Sequence, residues 1–353
     1  MFYINTLTFL LVSRFVINQF RRNNPEITDK IYLFLASVAL MLLTGLRGSK
    51  VGADTRGYIR NFLEMDGFSW KFALSEKSGR FESGYKLWTK LVGAITDSEV
   101  VFLVCSAALF ALFLGIYINK NSKNRFLSII LYYTVSGFSF QLSGIRQALA
   151  MAIVLVSFDF IKERKFFRFL IIVFLASLFH KSAFAVIPMY FIAHIKMNFK
   201  NFLIFITTGI LIWAFKLPLL DFANNVLGYE KSAIGFEGGA VYVVAMYSIT
   251  ILASYIYMNL LLKDEKNVVF FNITFFSLFI YILRYYVQIA ERISFYYQFA
   301  FIILLPNVVE SVEDDKTRRF LRVCVVVLSC ALFVYRCIRG MENSFYYHFY
   351  WQN

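Results

Sequence analysis

Residues 99–118 read EVVFLVCSAALFALFLGIYI. Behind one glutamate, the run from Val100 to Ile118 carries no charge. A helix of about 20 such residues, rising about 1.5 Å per residue, spans a hydrocarbon core of about 30 Å. A transmembrane β-barrel would need short segments that alternate apolar with polar, and this run does not alternate. Working outward, comparable runs fall at about 2–19, 31–46, 126–142, 145–161, 166–180, 182–195, 201–215, 239–262, 267–286, 293–309 and 320–338. The expected fold is therefore all-α: a single polytopic membrane bundle of about 12 transmembrane helices over residues 1–353. The stretch 145–195 is crowded, and its run at 182–195 is short enough to be re-entrant.

Composition agrees. Of 353 residues 59% are hydrophobic, 19% aromatic and only 16% charged. A soluble domain of this length needs more polar surface. The net charge of +14 would suggest nucleic acid in a soluble protein. In a membrane protein the excess has another source, because cytoplasmic loops collect Lys and Arg. Cys105, Cys324, Cys330 and Cys337 lie in apolar runs without CxxC spacing and read as packing residues. The first run has its positive charges, Arg21 and Arg22, after it and no small-residue cleavage site, so it reads as a retained span.

Basic residues orient the bundle. Arg21, Arg22, Lys30, Lys120, Lys123, Arg125, Lys162, Arg164, Lys165, Arg168, Lys196, Lys200, Lys263, Lys266, Lys316, Arg318, Arg319 and Arg322 fall on one side. The opposite short loops hold Arg146, Lys181, Lys216, Lys231, Arg284, Arg292, Arg336 and Arg339. Eighteen against eight makes the first side cytoplasmic and, with twelve spans, puts both termini outside. A long loop, 47–98, then lies outside, with segments 56–65 and 82–94 spaced as interfacial helices. A second outer loop covers 216–238.

Charge at membrane depth is costly and usually lines a cavity or path, so the outer charges are the informative ones. In Arg47-Gly48-Ser49-Lys50-Val51-Gly52-Ala53-Asp54-Thr55-Arg56-Gly57-Tyr58, three cations can grip a diphosphate and Asp54 is the nearest carboxylate. The bland alternative is a flexible loop with an Asp54–Arg56 pair. In Ser143-Gly144-Ile145-Arg146-Gln147 an arginine opens an apolar run, where helix N-terminal amides also favour an anion; the alternative is an arginine that snorkels to headgroups. In Phe179-His180-Lys181-Ser182-Ala183, His180 can move a proton or donate to phosphate, or simply be solvated in a turn. Arg284 with Glu291, Arg292 and Tyr296 can serve an anion and sugar rings, or only an internal salt bridge. Arg47, Arg146, His180, Arg284 and Arg292 share one face under a single topology, whereas snorkelling residues would scatter. No HExxH, GxSxG, CxxC or Gly-rich phosphate loop accompanies them, so the expected site has no metal and no cofactor.

Arg47 with Val51-Gly52-Ala53-Asp54-Thr55 and Tyr58, Ser143-Gly144-Ile145-Arg146-Gln147-Ala148-Leu149-Ala150, and Phe179-His180-Lys181-Ser182-Ala183 together give the chain its family look. In their order and spacing it resembles the Wzy-type polysaccharide polymerases, in particular the EpsG group. Glu291-Arg292-Ile293 and the 343–347 tail look similar to later landmarks. The resemblance implies a glycosyltransferase of the bacterial cytoplasmic (inner) membrane that works at its outer face, in an O-antigen, capsule or exopolysaccharide pathway. Its substrates would be oligosaccharide repeat units on undecaprenyl diphosphate, and a chain-length regulator and a flippase would be its partners, with no nucleic acid. Under that reading Arg47, Arg146, Arg284 and Arg292 stabilise the departing diphosphate. Asp54 and His180 are the candidate bases, with Lys50, Arg56, Tyr58, Gln147, Glu291 and Tyr296 in support. A lateral apolar groove would admit the polyprenyl tails. The rivals are a flippase for the same lipids, which would carry midplane charges and related halves, an O-antigen ligase and a membrane acyltransferase.

Overall fold

The computed structural model describes residues 2–19, 24–135, 138–215, 218, 238–258, 266–283, 288–338 and 346–352. Among them the chain is helical, with one isolated bridge between Arg47 and Phe349. The helices are α1 (Phe2–Gln19), α2 (Pro25–Gly45), α3 (Thr55–Asp66), α4 (Trp70–Ala73), α5 (Ser83–Gly93), α6 (Glu99–Asn121), α7 (Arg125–Thr134) and α8 (Phe138–Ser143). They continue with α9 (Ile145–Lys162), α10 (Phe166–Ser177), α11 (Ile187–Ala193), α12 (Phe199–Ala214), α13 (Gly238–Ile256), α14 (Lys266–Leu283), α15 (Gln288–Glu310) and α16 (Asp315–Ile338). Helix starts are written locally. Asn24 accepts from the Ile27 N–H with Pro25 following it, and Asn124 accepts from the Leu127 N–H.

Among the described residues, five helices are long and apolar enough to cross a membrane: α2, α6, α14, Ala290–Glu310 within α15, and α16. Large apolar side chains turn outward, with Phe34, Phe167, Ile249 and Phe320 each at least 66% exposed. Apolar exposure on that scale suits lipid and not water. The segments 56–65 and 82–94, expected as helices, are helical, in α3 and α5. The predicted run 126–142 is two helices, α7 and α8. The second predicted outer loop, 216–238, lies almost wholly outside the described residues.

The crowded stretch resolves into three antiparallel lengths. α9 runs from the end holding Arg146 to the end holding Lys162. α10 returns, ending near His180. A 3-10 helix, Lys181–Val186, and α11 then travel back along α9, so that His194 Nε2 lies 2.9 Å from the Ile161 carbonyl. Asn272 on α14 donates to the carbonyls of Ala193 and Ile195 at 3.1 and 2.8 Å, which pins that return. The 182–195 run thus follows α9 from end to end and does not double back.

The basic loops gather at one end of the bundle. Asp159 pairs with Lys162 and Lys120, each at 2.9 Å. Asn124 donates to Glu310 at 2.6 Å, and Arg322 grips the same carboxylate. Asn307 ties Asn121, Lys123 and Asn267 together. Arg14, an ionisable residue within an apolar run, is matched by Asp29 at 2.6 Å and lies over the rings of Tyr32 and Phe126. At the opposite end the two chain ends meet. Phe2 packs on Tyr347 and Phe349, and the Tyr350 N–H donates to the Leu46 carbonyl at 3.0 Å. Both ends therefore sit beside Arg47.

Candidate active site

Three loops converge at the Arg47 end. Gly52 adopts φ +86°, a left-handed turn that lets the backbone press on Leu142. The Thr55 hydroxyl reaches the Val51 carbonyl at 2.7 Å and the Leu142 carbonyl at 3.0 Å, and the Ala53 N–H donates to Ser143 Oγ at 3.1 Å. The 51–55 loop is thereby clamped to the elbow that opens α9. A second clamp joins the start of α5 to the His180 turn: the N–H groups of Gly84 and Tyr85 donate to the Leu178 carbonyl at 2.8 and 3.3 Å. Gly84 is required there, since a Cβ would stand 2.8 Å from the Leu178 backbone oxygen.

At the junction sits Arg146. Its Nη1 donates to Glu82 Oε2 at 2.5 Å. Its guanidinium lies 4.5 Å from the Phe81 ring centroid and 5.8 Å from that of Tyr58. The planar cation is held by a carboxylate on one edge and by aromatic faces. Its Nε is buried without a partner. Beside it, Gln147 donates to the Arg292 carbonyl at 2.6 Å, so α9 holds the start of α15. Phe140 and Phe295 stack at 4.5 Å across the same junction.

His180 completes the wall. Its Nδ1 lies 2.6 Å from Ser182 Oγ and accepts from the Ser182 N–H at 3.2 Å; Ser182 Oγ lies 3.0 Å from the buried Tyr296 hydroxyl. Assigned from this network, Tyr296 donates to Ser182, Ser182 donates to Nδ1, and Nε2 carries the ring proton. His180 then carries its proton on Nε2, with its basic nitrogen already engaged. Burial is the main cause that pushes its imidazole down to about 4; Arg146 and Arg292 add to this and Glu82 opposes it. The ring is neutral at pH 7.

That depression has a consequence for stability. The unfolded chain binds a proton near the ordinary value of about 6.5, while the folded ring resists until about 4. Stability should be full above pH 6.5, fall as the pH drops from 6.5 toward 4, and fall no further from this source below that. His180→Gln should flatten this window. Melting curves of the purified protein at pH 7.5 and pH 5 test it, and equal wild-type and variant losses would sink the assignment.

A family model, described as the EpsG family, matches residues 30–350, which contain all three converging loops. The chain belongs to the EpsG family. Membership points to a polysaccharide polymerase-like role. No curated protein and no solved structure matches the chain.

In this EpsG-family chain the candidate site brings together Tyr58, Arg146, Gln147, His180, Arg292 and Tyr296. Arg292 is exposed near the start of α15, one residue after Glu291 of its first turn. Asp54 is exposed one turn before Tyr58, at the rim, and caps nothing with its side chain. Lys50 and Arg56 are exposed on the same loop. Arg47 is 2% exposed and turns inward, donating to the Thr44 carbonyl. Its Nε and Nη2 lack partners, and it borders a small cavity with Gln141, Ser106 and Ile145. That cavity, about 10 Å³, has room for one water and not for a diphosphate. Arg284 lies outside the described residues, as do residues 343–345 of the tail. Sequence reasoning missed Glu82 and Phe81 as site residues, and quoted Ser182 only as part of the His180 motif. Glu82 falls 64 residues before its partner, and no local pattern marks it.

Proposed function

We propose that this protein is a repeat-unit polymerase, which moves a growing glycan from undecaprenyl diphosphate to the non-reducing sugar of a new lipid-linked unit. The observation that carries this reading is the Arg146 seat: a guanidinium packed against the neighbouring Phe81 and Tyr58 rings, with a buried Nε–H that has no partner, and within electrostatic reach of a neutral His180 that Arg292 also influences. Preorganised donors of this kind stabilise charge that develops on a leaving diphosphate. Phe81 and Tyr58 offer ring faces for the sugars. The proton of the acceptor hydroxyl must go to a carboxylate, and two are near, Asp54 at the rim and Glu82 inside.

The chain forms one integral membrane domain of about twelve crossings in the bacterial cytoplasmic membrane, with the site on the outer face. Two features support this. Both chain ends share the Arg47 end, which requires an even number of crossings, and the basic loops share the other end. The long loop 47–98 then lies outside. An apolar groove of about 410 Å³ between α2 and α6, walled by Leu33, Phe34, Met41 and Leu112, has the character a polyprenyl tail needs. A chain-length regulator and a flippase would work beside it.

Deleting the gene tests the reading. The expected surface glycan carries single repeat units and no ladder of longer chains. A strain with no surface glycan at all would favour a flippase, and an unchanged ladder would exclude both.

A further inference from the structure

Glu82 occupies the place an anion should take. Its Oε2 holds Arg146 at 2.5 Å, its Oε1 has only the Lys181 N–H at 3.4 Å, and its side chain is 12% exposed. The groups that face it are Arg146, the Lys181 amide, His180 and, farther off, Tyr296. A diphosphate that reaches Arg146 competes for the same guanidinium edge, and it carries more charge than one carboxylate.

We propose that the arriving diphosphate displaces Glu82 from Arg146 and that Glu82 then serves as the base for the acceptor hydroxyl. This rests on the polymerase reading above. A carboxylate oxygen released from Arg146 is free to accept the proton of the acceptor hydroxyl. Seating the donor therefore creates the base, and water alone does not find it ready. The bonds balance as follows. The acceptor oxygen forms the new bond to the anomeric carbon, and its proton passes to a Glu82 oxygen. The bond from the anomeric carbon to the diphosphate oxygen breaks, and its electron pair leaves with the diphosphate, held by Arg146, Arg292 and the His180 Nε2–H. When the diphosphate departs, Glu82 gives the proton to water and returns to Arg146. Asp54, open to water at the rim, has no such coupling to the donor.

The test uses full-length protein in detergent, supplied with lipid-linked repeat units extracted from the deletion strain. Glu82→Gln should lower turnover by about 100-fold or more, as for a lost general base. Its half-saturating concentration should not rise, and farnesyl diphosphate should bind it at least as tightly as wild type, because the amide no longer competes for Arg146. Formate should restore part of the turnover of Glu82→Ala, a rescue that a purely structural carboxylate would not show and that remains readable if Glu82→Gln folds poorly. Turnover of Glu82→Gln above half of wild type, or a loss matched by weaker farnesyl diphosphate binding with no formate rescue, would overturn the proposal. If wild-type protein makes no polymer, the polymerase reading itself fails; if wild type and Glu82→Gln both polymerise, only the role of Glu82 does.

Discussion

Arg146→Ala should abolish chain growth, with turnover down about 1,000-fold, the scale at which one preorganised oxyanion donor is felt. The reason is its double employment. The guanidinium is the cation set among the three converging loops, and it is also the group that holds Glu82 and packs on Phe81 and Tyr58. Arg146→Lys keeps the charge but loses the fork and the flat face, so it should recover only a small part of the activity. Stability should fall too, since Glu82 is left without its partner in a wall where it is 12% exposed. Losing one partner of a buried pair costs about 3–5 kcal/mol, and partial solvent access should bring this toward about 1–3 kcal/mol. The double variant Glu82→Gln with Arg146→Met separates the two effects: it should melt closer to wild type yet remain inactive. Chain lengths like wild type in an Arg146→Ala strain that makes normal amounts of protein would remove Arg146 from the site.

How much of this was written in the sequence depends on distance along the chain. Helices announce themselves through consecutive apolar residues, so each predicted run carries helix, apart from residues that fall outside the described set. The side of the membrane given to Arg146, His180 and Arg292 followed from counting loop charges, and the three do meet. What could not be read was who touches whom. Glu82 sits in a segment legible only as an interfacial helix, and nothing in its neighbours signals a partner on α9. Arg47 shows the converse. Its glycine-rich surroundings suggested an open anion grip, yet the chain ends close over it, through Tyr347 and the bridge to Phe349, and leave a water-sized cavity. That closure depends on the last residues of the chain meeting the second helix, a contact no local pattern could announce. The 182–195 run was too short and too crowded to judge from length alone. Its path was decided by Asn272 and His194, which fasten it at the far end of α9.

The second large effect should come from a glycine with no chemistry of its own. Gly52→Ala would place a Cβ 2.1 Å from the Leu142 carbonyl oxygen, and would do so at φ +86°, where an L-residue is already strained. The conformational penalty alone is about 1–2 kcal/mol. The clash is with backbone and cannot be relieved by turning a side chain, so the 51–55 loop must lift from the elbow. The bonds of Thr55 to Leu142 and of Ala53 to Ser143 go with it. α3 then loses its anchor, Tyr58 leaves the face of Arg146, and the seat opens on one side. Gly52→Ala should therefore lower the melting temperature and cut polymer synthesis together, although residue 52 touches no substrate. Gly57 provides the contrast five residues on. It is exposed within α3, and a Cβ there meets nothing within 4 Å. Gly57→Ala should stabilise the helix by about 0.5–1 kcal/mol and leave synthesis intact. If both variants melt and polymerise alike, the clamp between the 51–55 loop and the start of α9 is not what holds the site together.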